Sequence, residues 1–277
     1  MYQRGLNSSV VETVSAWLDH GQVTRAVVIG ELALAYNSEF PSPSGTEMIR
    51  LENFPNLEKV APNPAFIKQT SDRPGEYVID VGGLSRTSIA FKYQVHVDET
   101  TIARQAPVIL TPSWKVEPTQ TSVILQYSLN PAFIHDSQPP TVTLGNFVLI
   151  IHLGDGKATS CQSRPAGTFS REKGLIYWRL EDLVMKAGAP PEKVLARFAT
   201  DGEATPGRVE ARWEISGGQA ERFGSGLSVS NQDDAGPAGG HDGSDPFADE
   251  DVSERPATHW KDIRTVRKLI SGTYQAT

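Results

Sequence analysis

With 277 residues the chain is long enough to bury one large core or two modest ones. A single cysteine, Cys161, excludes an intrachain disulfide framework and suits a reducing cytosol, where it reads as a small half-buried apolar residue rather than a reactive thiol. The net charge of −7 argues against a basic nucleic-acid binder; no apolar run reaches the roughly 18 residues that cross a bilayer, and the start lacks the order of a signal peptide, so a soluble intracellular chain is expected.

In chain order, Ser9 to Leu18 is the first patterned segment. It puts Val10, Val14, Trp17 and Leu18 on one helical face and stops at Gly21, which by pattern alone favours a short helix. Val23 to Tyr36 reads as a strand with a bulge at Gly30, and Glu47 to Leu51 and Tyr77 to Val81 as shorter strands. Ile89, Phe91, Tyr93, Val95 and Val97 then alternate with Ala90, Lys92, Gln94 and His96, one row for a core and one for water. Val108 to Trp114, Val123 to Leu129, Phe147 to Leu153 and Leu175 to Leu180 continue the series. Glu181 to Ala187, closed by Gly188 and Pro190-Pro191, is expected to form one or two helical turns. The cleanest alternation is Val209, Ala211, Trp213 and Ile215 against Arg208, Glu210, Arg212 and Glu214, the mark of a half-buried antiparallel strand.

Turn chemistry separates these runs: Pro41-Ser42-Pro43-Ser44-Gly45, Arg73-Pro74-Gly75, Gly82-Gly83, Gly154-Asp155-Gly156 and Arg164-Pro165-Ala166-Gly167. The pentapeptide Asn-Pro-Ala-Phe-Ile occurs at 63–67 and again at 130–134 without matching flanks, which points to repeated turn chemistry and not to a duplicated unit. Many short strands at this spacing make the fold class all-β, a sandwich or barrel.

Between Asn231 and Arg255 stand eight carboxylates against one arginine, a balance equal to the net charge of the whole chain. Gly, Pro, Ala and Ser fill the rest, so burial cannot offset ordering and a disordered acidic loop is expected. Within it, Asp245, Pro246 and Phe247 form an acid-flanked aromatic tripeptide, a candidate linear motif that recruits a coat adaptor or folds back on the basic strand.

Catalytic motifs are missing from the sequence. His20, His96, His135, His152, His241 and His259 show no metal-ligand spacing, and there is no nucleophile elbow, Walker loop or dinucleotide fingerprint. Neither a cofactor nor a metal is expected, and His96 reads as a solvated surface residue. Recognition chemistry remains. Lys261, Arg264, Arg267 and Lys268 form a basic cluster near the C-terminus, with Val266, Leu269 and Ile270 as inward anchors, suited to charge-assisted contact with acidic peptides. The competing reading is a solvated strand edge that deters pairing.

Several passages carry a family resemblance. The ending Val266-Arg267-Lys268-Leu269, then Ser271-Gly272-Thr273-Tyr274, resembles the closing strand and turn of the mu homology domain of muniscins, the endocytic adaptors that include the fungal Syp and animal FCHo proteins. Val27 to Tyr36 is similar to that family's second strand, Thr111-Pro112-Ser113-Trp114-Lys115-Val116-Glu117-Pro118 to its tryptophan and Lys-x-Glu-Pro passage, and Ala196-Arg197-Phe198 with Ala204-Thr205-Pro206 to its return. The resemblance implies a strand at 9–18 and two immunoglobulin-like β-sandwich subdomains: 1–105 with 208–277, carrying the loop 231–255, and an inserted 106–207. It implies an adaptor without catalysis, in the cytoplasm at plasma-membrane endocytic sites, binding EH-domain scaffold proteins and some cargo. It also matches Arg267 and Lys268 to the family's basic pair, so that reversing both should weaken partner binding and leave thermal stability intact. Membrane association is expected to be indirect or weak, and the F-BAR domain that precedes this domain in the family is not in the sequence. Adaptor medium chains share the fold and read tyrosine signals, but Trp260 lies farther upstream of Ser271 than their pattern expects. An adhesion or carbohydrate-binding sandwich is the rival reading.

Overall fold

The computed structural model describes residues 4–37, 45–70, 72–84, 86–134, 141–232 and 259–277. The described residues are nearly all β, and five short 3-10 turns supply the helix. The strands are β1 (Gly5–Asp19), β2 (Gln22–Asn37), β3 (Thr46–Glu52), β4 (Leu57–Pro62), β5 (Ile67–Gln69), β6 (Glu76–Asp80), β7 (Ser88–Val95), β8 (Val108–Glu117), β9 (Gln120–Leu129) and β10 (Thr141–Leu153). They continue as β11 (Ala158–Arg164), β12 (Thr168–Ser170), β13 (Leu175–Arg179), β14 (Leu183–Lys186), β15 (Glu192–Thr200), β16 (Pro206–Ser216), β17 (Ser228–Gln232), β18 (Trp260–Ile263) and β19 (Thr265–Ala276).

One long sheet runs in the order β12-β13-β10-β16-β19-β1-β2-β7-β4, with β14 also paired to β10. Two smaller sheets cover its inner face. The sheet β18-β17-β3-β6-β5 packs at one end, where Tyr77 of β6 meets Phe91 of β7 edge-on with ring centroids 4.8 Å apart. The sheet β11-β15-β9-β8 packs at the other, where Tyr127 of β9 lies 5.9 Å from Phe147 of β10. Each such ring contributes about 1.5–3 kcal/mol by leaving water, and the buried residues at both ends of the long sheet join in one continuous core.

The segment at 9–18 is a strand. Val10, Val14, Ala16 and Leu18 are buried in period two, and Glu12 in the same row is buried as well. A carboxylate inside the apolar row breaks the strand signature and leaves a helical face as the better match. Gly21 ends no helix. His20 and Gly21, with φ of 48° and 76°, form the two-residue hairpin turn to β2, whose twist needs left-handed residues.

Gly30 carries no bulge, because it stays in register with Glu12 on one side and Tyr93 on the other. A Cβ there would lie 2.0 Å from the Tyr93 ring, so glycine makes room for the aromatic. The irregularities fall instead at Thr24, the extra residue of β2 opposite Trp17 and Leu18, and in β7, where Leu32 faces Phe91 while Ala33 faces Ile89. Ala90 is the extra residue of that bulge; it is buried, and Ile89 turns outward, against the expected parity. Glu181 to Ala187 forms no helical turn: β14 pairs in register with the start of β10, which the period-two row Leu183/Met185 permits.

Both Asn-Pro-Ala-Phe-Ile copies are turns of one kind. The Asn63 carboxamide oxygen accepts from the Ala65 N–H at 3.1 Å, and the Asn130 oxygen from the Ala132 N–H at 3.0 Å. Cys161 is half-buried, and burial pushes its thiol up to about 11, so it stays an inert thiol at neutral pH.

Candidate functional site

The expected basic cluster lies on β18 and β19 and the residue between them. β19 is held between β16, antiparallel, and β1, parallel, and is therefore an inner strand of the long sheet. That placement excludes the free-edge reading for this strand and divides the four cations by face. Lys261 and Arg264 are exposed and make no ion pair among the described residues. Lys268 is half-exposed, with its ammonium 2.7 Å from a Glu214 carboxylate oxygen. Arg267 lies on the same side as the buried Leu269, and its guanidinium donates to the Leu227 carbonyl. The anchors are redistributed too. Leu269 is buried, but Val266 is 60 % exposed, because strand parity sets it opposite Arg267.

Arg267 faces inward toward a buried polar cluster. Glu12 is 1 % exposed and accepts hydrogen bonds from the Tyr93 hydroxyl at 2.8 Å, from the Ser225 N–H at 3.1 Å and from the Ser225 hydroxyl. Burial and the Glu12 carboxylate push the Tyr93 phenol far up, and the Arg267 charge opposes them. A buried carboxylate satisfied by three donors fixes the segment before β17 onto β1 and β7. Arg267 is half-buried, and its bond to Leu227 gives it a structural contact in the closing strand.

On the outer face, cross-strand pairing sets Val266, Ser9, Ala33 and Ile89 in one row over β19, β1, β2 and β7. The two ends of the row are exposed apolar side chains, Ile89 at 40 %, and its middle is small. The result is a groove of about 420 Å³ lined by Ser9, Ala33, Ala35, Thr87, Val266 and Arg264. Arg264 therefore sits over an apolar depression, the combination that suits an acidic chain with an apolar anchor. Sequence reading missed Ala33, Ile89 and the outward Val266, since small residues carry no signal and the β7 bulge reverses Ile89.

Trp260 is half-buried under Arg50, whose guanidinium carbon lies 4.8 Å from the ring centroid, while Arg50 also pairs with Glu52 at 2.7 Å. Asp245, Pro246 and Phe247 lie outside the described residues; Asn231 and Gln232, expected in the loop, complete β17. No cluster of metal-ligating side chains occurs among the described residues. His96 is exposed, 3.9 Å from Asp98.

The suppressor of yeast profilin deletion of Saccharomyces cerevisiae is 30 % identical to the chain over 98 % of it, and the chain spans 30 % of that relative's length. Among solved structures, the Fcho1 mu homology domain of Danio rerio with bound Eps15 peptide superimposes with a TM-score of 0.65 at 18 % identity, covering 99 % of this chain and 97 % of that one. The yeast delta-COP-I mu-homology domain complexed with a Dsl1 WxWxV peptide gives 0.54 at 11 % identity, covering 99 % and 98 %. The sequence model of the muniscin C-terminal mu homology domain, a family of adaptor and scaffold domains, matches residues 4–277, and this chain belongs to that family.

Proposed function

We propose that this chain is the non-catalytic, peptide-binding domain of an endocytic adaptor, acting in the cytoplasm at plasma-membrane sites. Its partner is an extended acidic segment of an EH-domain scaffold protein, with cargo tails as a second class of ligand. The observation that carries this reading is the outer groove, where Arg264, without an ion pair among the described residues, stands beside Val266 and the small floor of Ser9, Ala33 and Ala35. Lys261 supplies a second exposed cation on the adjoining strand. Peptide complexes of fold neighbours, one with an Eps15 peptide and one with a Dsl1 peptide, support peptide recognition by this fold. The same reading takes 106–207 as an inserted sandwich, supported by the chain leaving the β1-β2-β7 region before β8 and returning through β16. Asp245-Pro246-Phe247 remains a candidate recruitment motif.

The test is affinity for the acidic tail of an EH-domain scaffold, measured by interferometry. Lys261→Glu/Arg264→Glu should weaken binding about tenfold or more, the loss of one or two charge-assisted contacts, and leave Tm within about 2 °C. Unchanged affinity would overturn this placement.

A further inference from the structure

A second groove lies at the other end of the long sheet, on the outer face of β10, β13 and β16 beside β12. It has a volume of about 850 Å³. Its floor follows from register. Ile150 faces Tyr177 on β13, which in turn faces Thr168 on β12, and the next row inward sets Leu175 against His152. Ile150 points outward and is still buried, so neighbouring side chains already shield an apolar strip there.

The flanking row is charged on one sign. Val148 pairs with Arg179 on one side and with Arg212 on the other. Two strand spacings put those backbones about 10 Å apart with only a valine between them. Arg179 has its guanidinium carbon 5.7 Å from the Tyr177 ring centroid, and neither arginine forms an ion pair among the described residues. Lys173 adds an exposed cation at the mouth. Of the carboxylates near by, Glu210 is held by Arg208 at 2.6 Å and also feels the Arg212 charge, Glu214 is held by Lys268 at 2.7 Å, and Glu181 stands on the rim. Like charges flanking one residue repel, and an incoming carboxylate relieves the repulsion while gaining two charge-assisted partners.

The rim is also conformationally unusual. Asn146 and Glu181 have φ of 49° and 50°, left-handed values that cost an ordinary side chain energy. They are locked by the exchange of Phe147 N–H to Glu181 carbonyl and Leu180 N–H to Phe147 carbonyl, each 2.8 Å.

We infer that this groove is a second docking site, separate from the Arg264 groove, for an acidic peptide that places one aromatic or leucyl side chain over Ile150 and Tyr177 with carboxylates on Arg179 and Arg212. A peptide fits better than a lipid surface because the apolar floor is recessed between the cations, whereas a membrane favours cations that project.

A synthetic peptide copying residues 241–254, which holds Phe247 among carboxylates, is the probe. It is titrated by fluorescence anisotropy into the full chain carrying Phe247→Ala, which removes the chain's own copy of the anchor. Arg179→Glu/Arg212→Glu should weaken binding about tenfold or more, and so should Phe247→Ala in the peptide, while Arg264→Glu in the protein should leave it unchanged. Loss with Arg264→Glu alone overturns this site but leaves the proposed function standing. Insensitivity to both the arginine pair and the peptide's phenylalanine overturns it outright, as does binding to phosphatidylserine vesicles without peptide affinity. If the double reversal lowers Tm by more than about 2 °C, amide exchange on the unaltered arginines decides. Slowing over 168–170 and 175–179 on adding peptide supports the site, and unchanged exchange overturns it.

Discussion

Replacing Tyr274 by Phe removes one oxygen atom from the core where β19 meets β8. The Tyr274 ring is 1 % exposed and meets Trp213 edge-on at 5.7 Å, so phenylalanine keeps the packing. The hydroxyl accepts from the Val108 N–H at 3.0 Å and donates to the Val108 carbonyl. Val108 opens β8, the edge strand of the four-stranded sheet, and its N–H and carbonyl point away from β9. The variant therefore leaves a buried donor and a buried acceptor unmatched, each costing about 1–3 kcal/mol, for a total near 2–6 kcal/mol. For a chain of 277 residues, whose unfolding entropy is about 0.6 kcal/mol/K, that corresponds to a Tm lower by roughly 3–10 °C. Thermal denaturation by circular dichroism reads the shift, and amide exchange should show Val108 losing protection. A Tm within about 1 °C of the parent would refute the argument that this hydroxyl ties the closing strand to β8.

Three further outcomes follow from particular contacts. Arg267→Glu sets a carboxylate toward Glu12 and removes the bond to Leu227, so chemical denaturation should show a loss of at least about 2 kcal/mol, whereas Arg264→Glu stays within about 0.5 kcal/mol; equal effects would sink the inward placement. Gly30→Ala drives a methyl into the Tyr93 ring, which Glu12 holds by its hydroxyl, and should cost about 1–3 kcal/mol. The cost should shrink in a Tyr93→Val background, and strict additivity of the two changes would show that they do not touch. His152 has its pKa lowered below the ordinary value of 6.5 by burial and by the Arg208 charge. The unfolded chain therefore takes the proton first, so the stability this neutral histidine contributes is full above about pH 6.5 and is lost as pH falls. Parent and His152→Gln compared by denaturant midpoint between pH 7.5 and 5 should show a flatter profile for the variant; parallel profiles would be contrary to this reading.

Much of the fold was legible from residue order. The alternation of Val209, Ala211, Trp213 and Ile215 gave β16 its face, and the Asn-Pro-Ala-Phe-Ile repeats were turns as their chemistry requires. The first strand was obscured because Glu12 occupies a core position, a placement stable only once Tyr93 and Ser225 arrive from 81 and 213 residues away. β14 was obscured by length, since four residues fit two periods equally well.

The candidate site divides along the same line. That a basic pair sits on the closing strand is visible in the chain, but which cation meets solvent depends on β19 being flanked by β1 and β16. Strand parity alone separates Arg267 from Val266, and the absolute face is set by which side the smaller sheet covers. Alternating apolar rows thus settled the all-β class within the sequence, because burial of a row is a local property of the residues that form it. The grooves exist only through register between strands distant in sequence, where a bulge at Ala90 or two arginines flanking Val148 bring together groups whose spacing along the chain carries no trace of the contact.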